Sequence, residues 1–248
     1  MDPAPEAEGF RCGFVAVAGR PNVGKSTLVN AYVGEKVAIV SRRPQTTRRR
    51  ILGIRSTAEA QVVFIDTPGI RQPRNPLGQY MVRGARRAIG DADLVAWVVD
   101  VSELPGAGDR TVAGWIEASG QPVILAMNKS DLLAPADIAA HTGAYVELMA
   151  PAEWTLTIAT ERHNLDRLWG MIVARLPQGP PLYPSDQITD QTERAMAAEL
   201  VREAALGHLS DEVPHGLAVA VDEWAMRDNG VLFIAATVVV ERQGHKAI

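Results

Sequence analysis

Three short segments carry residue types that could handle a nucleotide. Gly19-Arg20-Pro21-Asn22-Val23-Gly24-Lys25-Ser26 closes on a lysine and a hydroxyl residue directly after its second glycine. Glycines at 19 and 24 let the backbone turn so that successive N–H groups converge, and a helix starting there aims its positive end at the same point. That is a cradle for phosphates, with Lys25 placed to reach the β- and γ-phosphates and the Ser26 hydroxyl to ligate Mg2+. Asn22, Val23 and Thr27 complete the phosphate-binding stretch. Asp66-Thr67-Pro68-Gly69 ends an apolar run. An aspartate there can hold the magnesium shell, and the Gly69 N–H can meet a γ-phosphate. Alone, this tetrapeptide is equally good turn chemistry. Asn128-Lys129-Ser130-Asp131 ends another apolar run. A carboxylate at Asp131 can accept hydrogen bonds from the N1–H and exocyclic amine of guanine. Adenine offers neither, so such a site rejects ATP by leaving the carboxylate unpaired.

The elements that must position these segments alternate along the chain. Apolar strand-like runs (Val15–Ala18, Gln61–Ile65, Leu94–Val99, Pro122–Met127, Leu156–Ala159) take turns with helical ones (Ser26–Val33, Tyr80–Ile89, Thr111–Glu117, Ala136–Leu148, Leu165–Leu176). Unbroken apolar strands between helices predict an α/β fold, a mostly parallel six-stranded sheet covered on both faces, with Ile51–Arg55 as an extra edge strand. Residues 1–9 read as an acidic tail and 10–176 as the nucleotide domain. Pro177–Asp186 holds four prolines and a glycine, so 177–189 reads as a stiff linker. Beyond it, Asp190 and Glu193 have capping-box spacing. Ala197, Leu200, Val201, Ala204 and Leu209 form a helical apolar stripe, and Leu217–Trp224 and Val231–Glu241 read as strands joined by a turn at Arg227–Gly230.

Composition sets the outer bounds. Hydrophobic residues make up 47% and charged residues 22%, a globular profile, and a single cysteine, Cys12, excludes an intramolecular disulfide and Cys-rich metal sites. There is neither a signal-peptide pattern nor an apolar stretch of bilayer-spanning length, so a soluble cytoplasmic protein is expected. Net charge is −4, and residues 177–248 carry 5 Lys and Arg against 11 Asp and Glu. That is a poor electrostatic surface for nucleic acid.

GRPNVGKST, VSRRPQTTRRRILGI, FIDTPGI, NKSD and TDQTER…EVPHGLAV together resemble the Era family of ribosome-assembly GTPases, over residues 13–248. The resemblance implies a P-loop GTPase domain followed by a KH-type RNA-binding domain (190–248). It implies a switch that hydrolyses GTP to GDP and binds small-subunit rRNA during 30S subunit assembly. Sister families acting in tRNA modification or large-subunit assembly are the alternative, as is a nucleotide-gated RNA-binding module with incidental hydrolysis. It further implies Thr46 or Thr47 as a magnesium and γ-phosphate ligand in switch I, K+ beside Asn22, a monomer, and peripheral contact with the inner membrane face. Lys25, Thr47 and Gly69 become the catalytic set. Ser26, Thr46, Thr47 and Asp66 become the metal set. Asn128, Lys129, Asp131 and the Ala159 N–H become the guanine set.

Three departures from the family or its relatives matter. Ile70 stands where Ras-like proteins place a water-orienting glutamine, and the family likewise carries an apolar residue here, so slow intrinsic hydrolysis is expected. Ile158 stands in place of the family's serine before Ala159, so guanine affinity should be weakened. The chain stops at Ile248, before the family's GxxG clamp, so the KH-type part reads as truncated.

Overall fold

The computed structural model describes residues 9–41, 47, 50–70, 76–208 and 217–240. They fall into two units, Met1–Ala38 with Thr47–Asp190, and Ile39–Thr46 with Gln191–Ile248.

In the first unit β1 (Arg11–Ala18), β2 (Ile51–Ser56), β3 (Ala60–Asp66), β4 (Leu94–Asp100), β5 (Val123–Asn128) and β6 (Glu153–Leu156) form one sheet. Their order is β2-β3-β1-β4-β5-β6, parallel throughout except for the antiparallel edge strand β2. The helices are α1 (Lys25–Val33), α2 (Pro76–Asp91), α3 (Ala107–Ser119), α4 (Ile138–Met149) and α5 (Leu165–Arg175). Side chains of period two bury both faces. Val15 and Val17 of β1, with Leu94, Ala96 and Val98 of β4, pack under α1 and α5. Their neighbours Ala16, Ala18, Val95, Trp97 and Val99 pack under α2, α3 and α4. The predicted α/β sheet is therefore present. Its last strand lies earlier than Leu156–Ala159: after the Thr157 N–H bonds Met127 O (2.8 Å), Ile158 exchanges hydrogen bonds with His163 (3.3 and 3.1 Å) and the chain leaves the ladder as a loop.

The proline-rich segment 177–190 is strapped to this unit. The Cys12 N–H donates to Pro177 O (3.1 Å) and the Ile54 N–H to Ile188 O (2.8 Å). The Leu52 N–H donates to Asp190 Oδ1 (3.3 Å). The fully buried Gln61 amide accepts the Leu182 and Tyr183 N–H groups (2.7 and 2.9 Å) and donates to Tyr183 O (2.8 Å). A strap with so few donors of its own satisfies its polar groups on the sheet instead.

The second unit holds α6 (Glu193–His208) and the antiparallel pair β7 (Ala218–Met226) and β8 (Leu232–Val239), with a bulge between Val221 and Glu223. The turn at Arg227–Gly230 closes as expected, Arg227 N–H to Val231 O at 2.8 Å. Asp190 is engaged by β2, so the cap of α6 falls to Thr192, whose Oγ1 accepts the Ala195 N–H (3.3 Å). The predicted apolar stripe is not the buried face. Leu200, Val201 and Ala204 are exposed, whereas Arg202 and Leu206 are buried, and Leu209 lies outside the described residues. Arg202 tolerates burial because its guanidinium forks onto Glu199 (3.0 and 2.5 Å).

Candidate functional site

The carboxyl ends of β1, β3 and β5 deliver the three motifs to one rim, the usual ligand side of a parallel sheet. After β1 the loop turns through Gly24 (φ 102°) into α1. A Cβ at 24 would collide with Asn128 Nδ2, so backbone shape and close approach both demand glycine. Val23 is buried, Thr27 is half-buried on α1, and the exposed Asn22 holds a left-handed φ of 64°.

Lys25 is buried, and its ammonium donates to Arg20 O (2.7 Å) and Gly19 O (3.2 Å). Burial lowers its pKa from 10.5 to about 8, against the pull of Asp66. The Ser26 hydroxyl donates to Asp66 Oδ2 (2.7 Å), and Thr47 Oγ1 donates to the same oxygen (3.2 Å) while lying 3.1 Å from Ser26 Oγ. Burial pushes the Asp66 carboxyl up, opposed by Lys25 and the two hydroxyls. Its other oxygen, Oδ1, is buried with no hydrogen-bond partner among the described residues. Two hydroxyls converging on a carboxylate with one orphaned oxygen fit a hard cation such as Mg2+ and its water shell. Thr46 lies outside the described residues, as do Arg42, Arg43, Arg48 and Arg49.

The segment after β3 is docked on the phosphate loop. Thr67 Oγ1 donates to Val17 O (2.8 Å), and the Ile70 N–H donates to Gly19 O (3.1 Å). A Cβ on Gly69 would lie 2.6 Å from Pro21 Cα, so only glycine lets its N–H come this close to the loop. Ile70 is buried in the core beneath α2 and α3, turned away from any water.

At the base end, the buried Asn128 binds in two directions. Its Nδ2 donates to Val23 O (2.8 Å), and its Oδ1 accepts the Ala159 N–H (2.9 Å) and Thr157 Oγ1 (3.4 Å). The Ala159 N–H is therefore engaged by Asn128 here. Lys129, at φ 62°, bonds Asp100 Oδ2 (2.5 Å). Asp131 is exposed and bonds no described residue, so its carboxylate faces solvent.

Sequence reasoning missed Asp100, Thr157 and the pair Arg20–Asp109. Asp100 repeats the signal that marks Asp66, an aspartate directly after an unbroken apolar run, and could have been found that way. The other contacts join residues far apart in the chain and left no local signal.

The family described as 50S ribosome-binding GTPase matches residues 14–129. GTPase Era of Heliobacterium modesticaldum is 42% identical over 241 residues, covering 97% of this chain and 81% of that protein. GTPase Era of Clostridium botulinum is 43% identical over 239 residues, covering 96% and 81%. Among solved structures, Era in complex with MgGDPNP and nucleotides 1506–1542 of 16S ribosomal RNA superposes with a TM-score of 0.91 at 37% identity, covering 95% of this chain and 80% of that one. A point variant of Aquifex aeolicus Era bound to GDP.AlF4− gives 0.90 at 36%, covering 95% and 81%. With identity of this level over an alignment that covers 97% of the chain, the chain belongs to the Era family of GTPases.

Proposed function

We propose that this GTPase is a nucleotide-driven switch that binds the 3′ region of small-subunit rRNA and acts in 30S subunit assembly. What carries the reading is its likeness to the Era–rRNA complex, which covers 95% of the chain. On this reading Lys25 neutralises charge on the β- and γ-phosphates, and the Gly69 N–H meets the γ-phosphate from the other side. Ser26, Asp66 and Thr47, or Thr46 in its place, would hold Mg2+, which would supply positive charge to offset that of the phosphates. Asn128 fixes the loop that Asp131 and Lys129 share around guanine. Asn22 is the candidate K+ ligand, and equal turnover in K+ and Na+ buffers would remove it from that role. Because Ile70 is buried it positions no water, and intrinsic hydrolysis is expected at roughly 10⁻³ s⁻¹ or below.

Residues 190–248 are read as the KH-type part, and α6 with β7 and β8 supplies the helix–strand–strand order that supports it. The protein is read as a cytoplasmic monomer. Among the described residues no helix is long and apolar enough to cross a membrane, and vesicle flotation tests for peripheral contact. The deciding experiment is fluorescence anisotropy with RNA spanning nucleotides 1506–1542 of 16S rRNA. Binding that is about tenfold tighter with GDPNP than with GDP is expected. Absence of binding in both states removes the rRNA role and leaves the GTPase.

A further inference from the structure

Arg20 lies inside the phosphate loop, yet its side chain points away from the phosphate cradle. Its Nε sits between the two oxygens of Asp109, 2.9 Å from Oδ1 and 2.8 Å from Oδ2, and its NH2 reaches Glu103 at 3.1 Å. The two acids differ in kind. Glu103 is 65% exposed at its side chain, a surface partner of small effect, whereas Asp109 is completely buried. Asp109 also accepts the Gly106 N–H (2.9 Å), which ties it into the start of α3. Gly108 leaves the arginine stem its path, since a Cβ there would lie 2.7 Å from Arg20 Cδ.

The backbone of the same residue is part of the reacting end. Arg20 O is the nearer of the two carbonyls holding Lys25, at 2.7 Å. Its neighbours on either side engage the γ-phosphate segment, Gly19 O through the Ile70 N–H (3.1 Å) and Pro21 through close packing on Gly69. Proline at 21 already narrows the conformations open to residue 20, and the clamp on its side chain removes the remaining freedom. We propose that Arg20 is a positioning residue for GTP hydrolysis, anchored by the buried Asp109 so that the carbonyls at 19 and 20 hold Lys25 and the Gly69 segment in reacting register. The base clamp at Asn128 and Asp131 does not pass through this anchor, so ground-state binding survives its loss better than the chemical step does.

The test uses the full chain with Mg2+ and compares wild type, Arg20→Lys and the double variant Arg20→Met/Asp109→Leu. The double variant replaces an ion pair whose acid is buried with apolar groups of like volume, a change that often preserves folding. Thermal stability, equilibrium GDP affinity and single-turnover GTP hydrolysis are measured on each. GDP affinity within about threefold of wild type is expected for both variants. Hydrolysis should fall about 10- to 100-fold in the double variant and less in Arg20→Lys, which keeps the charge but not the planar group that spans Asp109 and Glu103. Wild-type hydrolysis in a folded double variant overturns the proposal, as does a loss of GDP affinity in step with hydrolysis. If the double variant fails to fold, Arg20→Lys decides: reduced hydrolysis at unchanged affinity supports the anchor, and unchanged hydrolysis overturns it.

Discussion

Strands β4 and β8 are almost equally apolar, LVAWVVD against LFIAATVV, and they end in opposite environments. Every residue of β4 is buried between helices on two sides, whereas Leu232, Phe233, Ile234, Val238 and Val239 of β8 are exposed. An apolar run therefore specifies a strand, while its burial depends on what other elements bring against it. The nucleotide site sits in the first kind of setting. There, burial makes a lysine, an aspartate and an asparagine dependent on fixed partners, and so fixes their geometry.

The widest test of this contrast is a pair of core truncations. Trp97→Ala should cost about 3–5 kcal/mol in chemical denaturation, and Phe233→Ala, with its side chain exposed, about 1 kcal/mol or less. Equal costs would mean that β8 is covered in solution. Next, Asp131→Asn turns one of the two accepting oxygens into a donor that opposes a guanine donor, and should weaken GDP binding about 100-fold or more by equilibrium titration. Retained affinity would separate the exposed Asp131 from base selection.

A smaller effect follows from Lys25, whose folded pKa is lowered to about 8. Phosphates favour the ammonium, so nucleotide binding takes up a proton once the pH passes about 8. GDP affinity should be flat below that point and fall by up to about tenfold per unit above it. Stability of the free protein runs the other way. Between about 8 and 10.5 the unfolded lysine keeps its proton and the folded one loses it, so stability rises with pH across the window; the cost of burying the charged lysine is full below about 8 and gone above 10.5. Calorimetric GDP titrations in buffers of different ionisation heat read the uptake directly. The smallest effect is expected from Ile158→Ser, a gain of a few-fold in GDP affinity through one added hydroxyl near Ala159.

Most of the first unit was legible because its signals are local: apolar runs for strands, glycines before a lysine, aspartates at strand ends. The places where reading failed share a cause. Asp190 looks like a helix cap until β2 claims its carboxylate, and Leu200 and Val201 look like a core stripe although α6 buries Arg202 instead. The last strand slipped by three residues because Thr157 and Ala159 are held by Met127 and Asn128, contacts across the fold that period and propensity do not encode. Arg20 gave no local signal of its own, since Asp109 meets it across 89 residues of chain.

The strap over 177–190 also dictates how the molecule can be dissected. Cutting after Leu176 would strip the Gln61 amide of its tyrosine and leucine partners inside the fold and leave the Leu52 and Ile54 amides of β2 without acceptors. Each orphaned group costs about 1–3 kcal/mol, enough in sum to approach the whole stability of a domain this size. An excised nucleotide-binding fragment that retains its fold must therefore run through Asp190, and a protease given the intact protein should find 177–190 a poor substrate despite its loop-like composition.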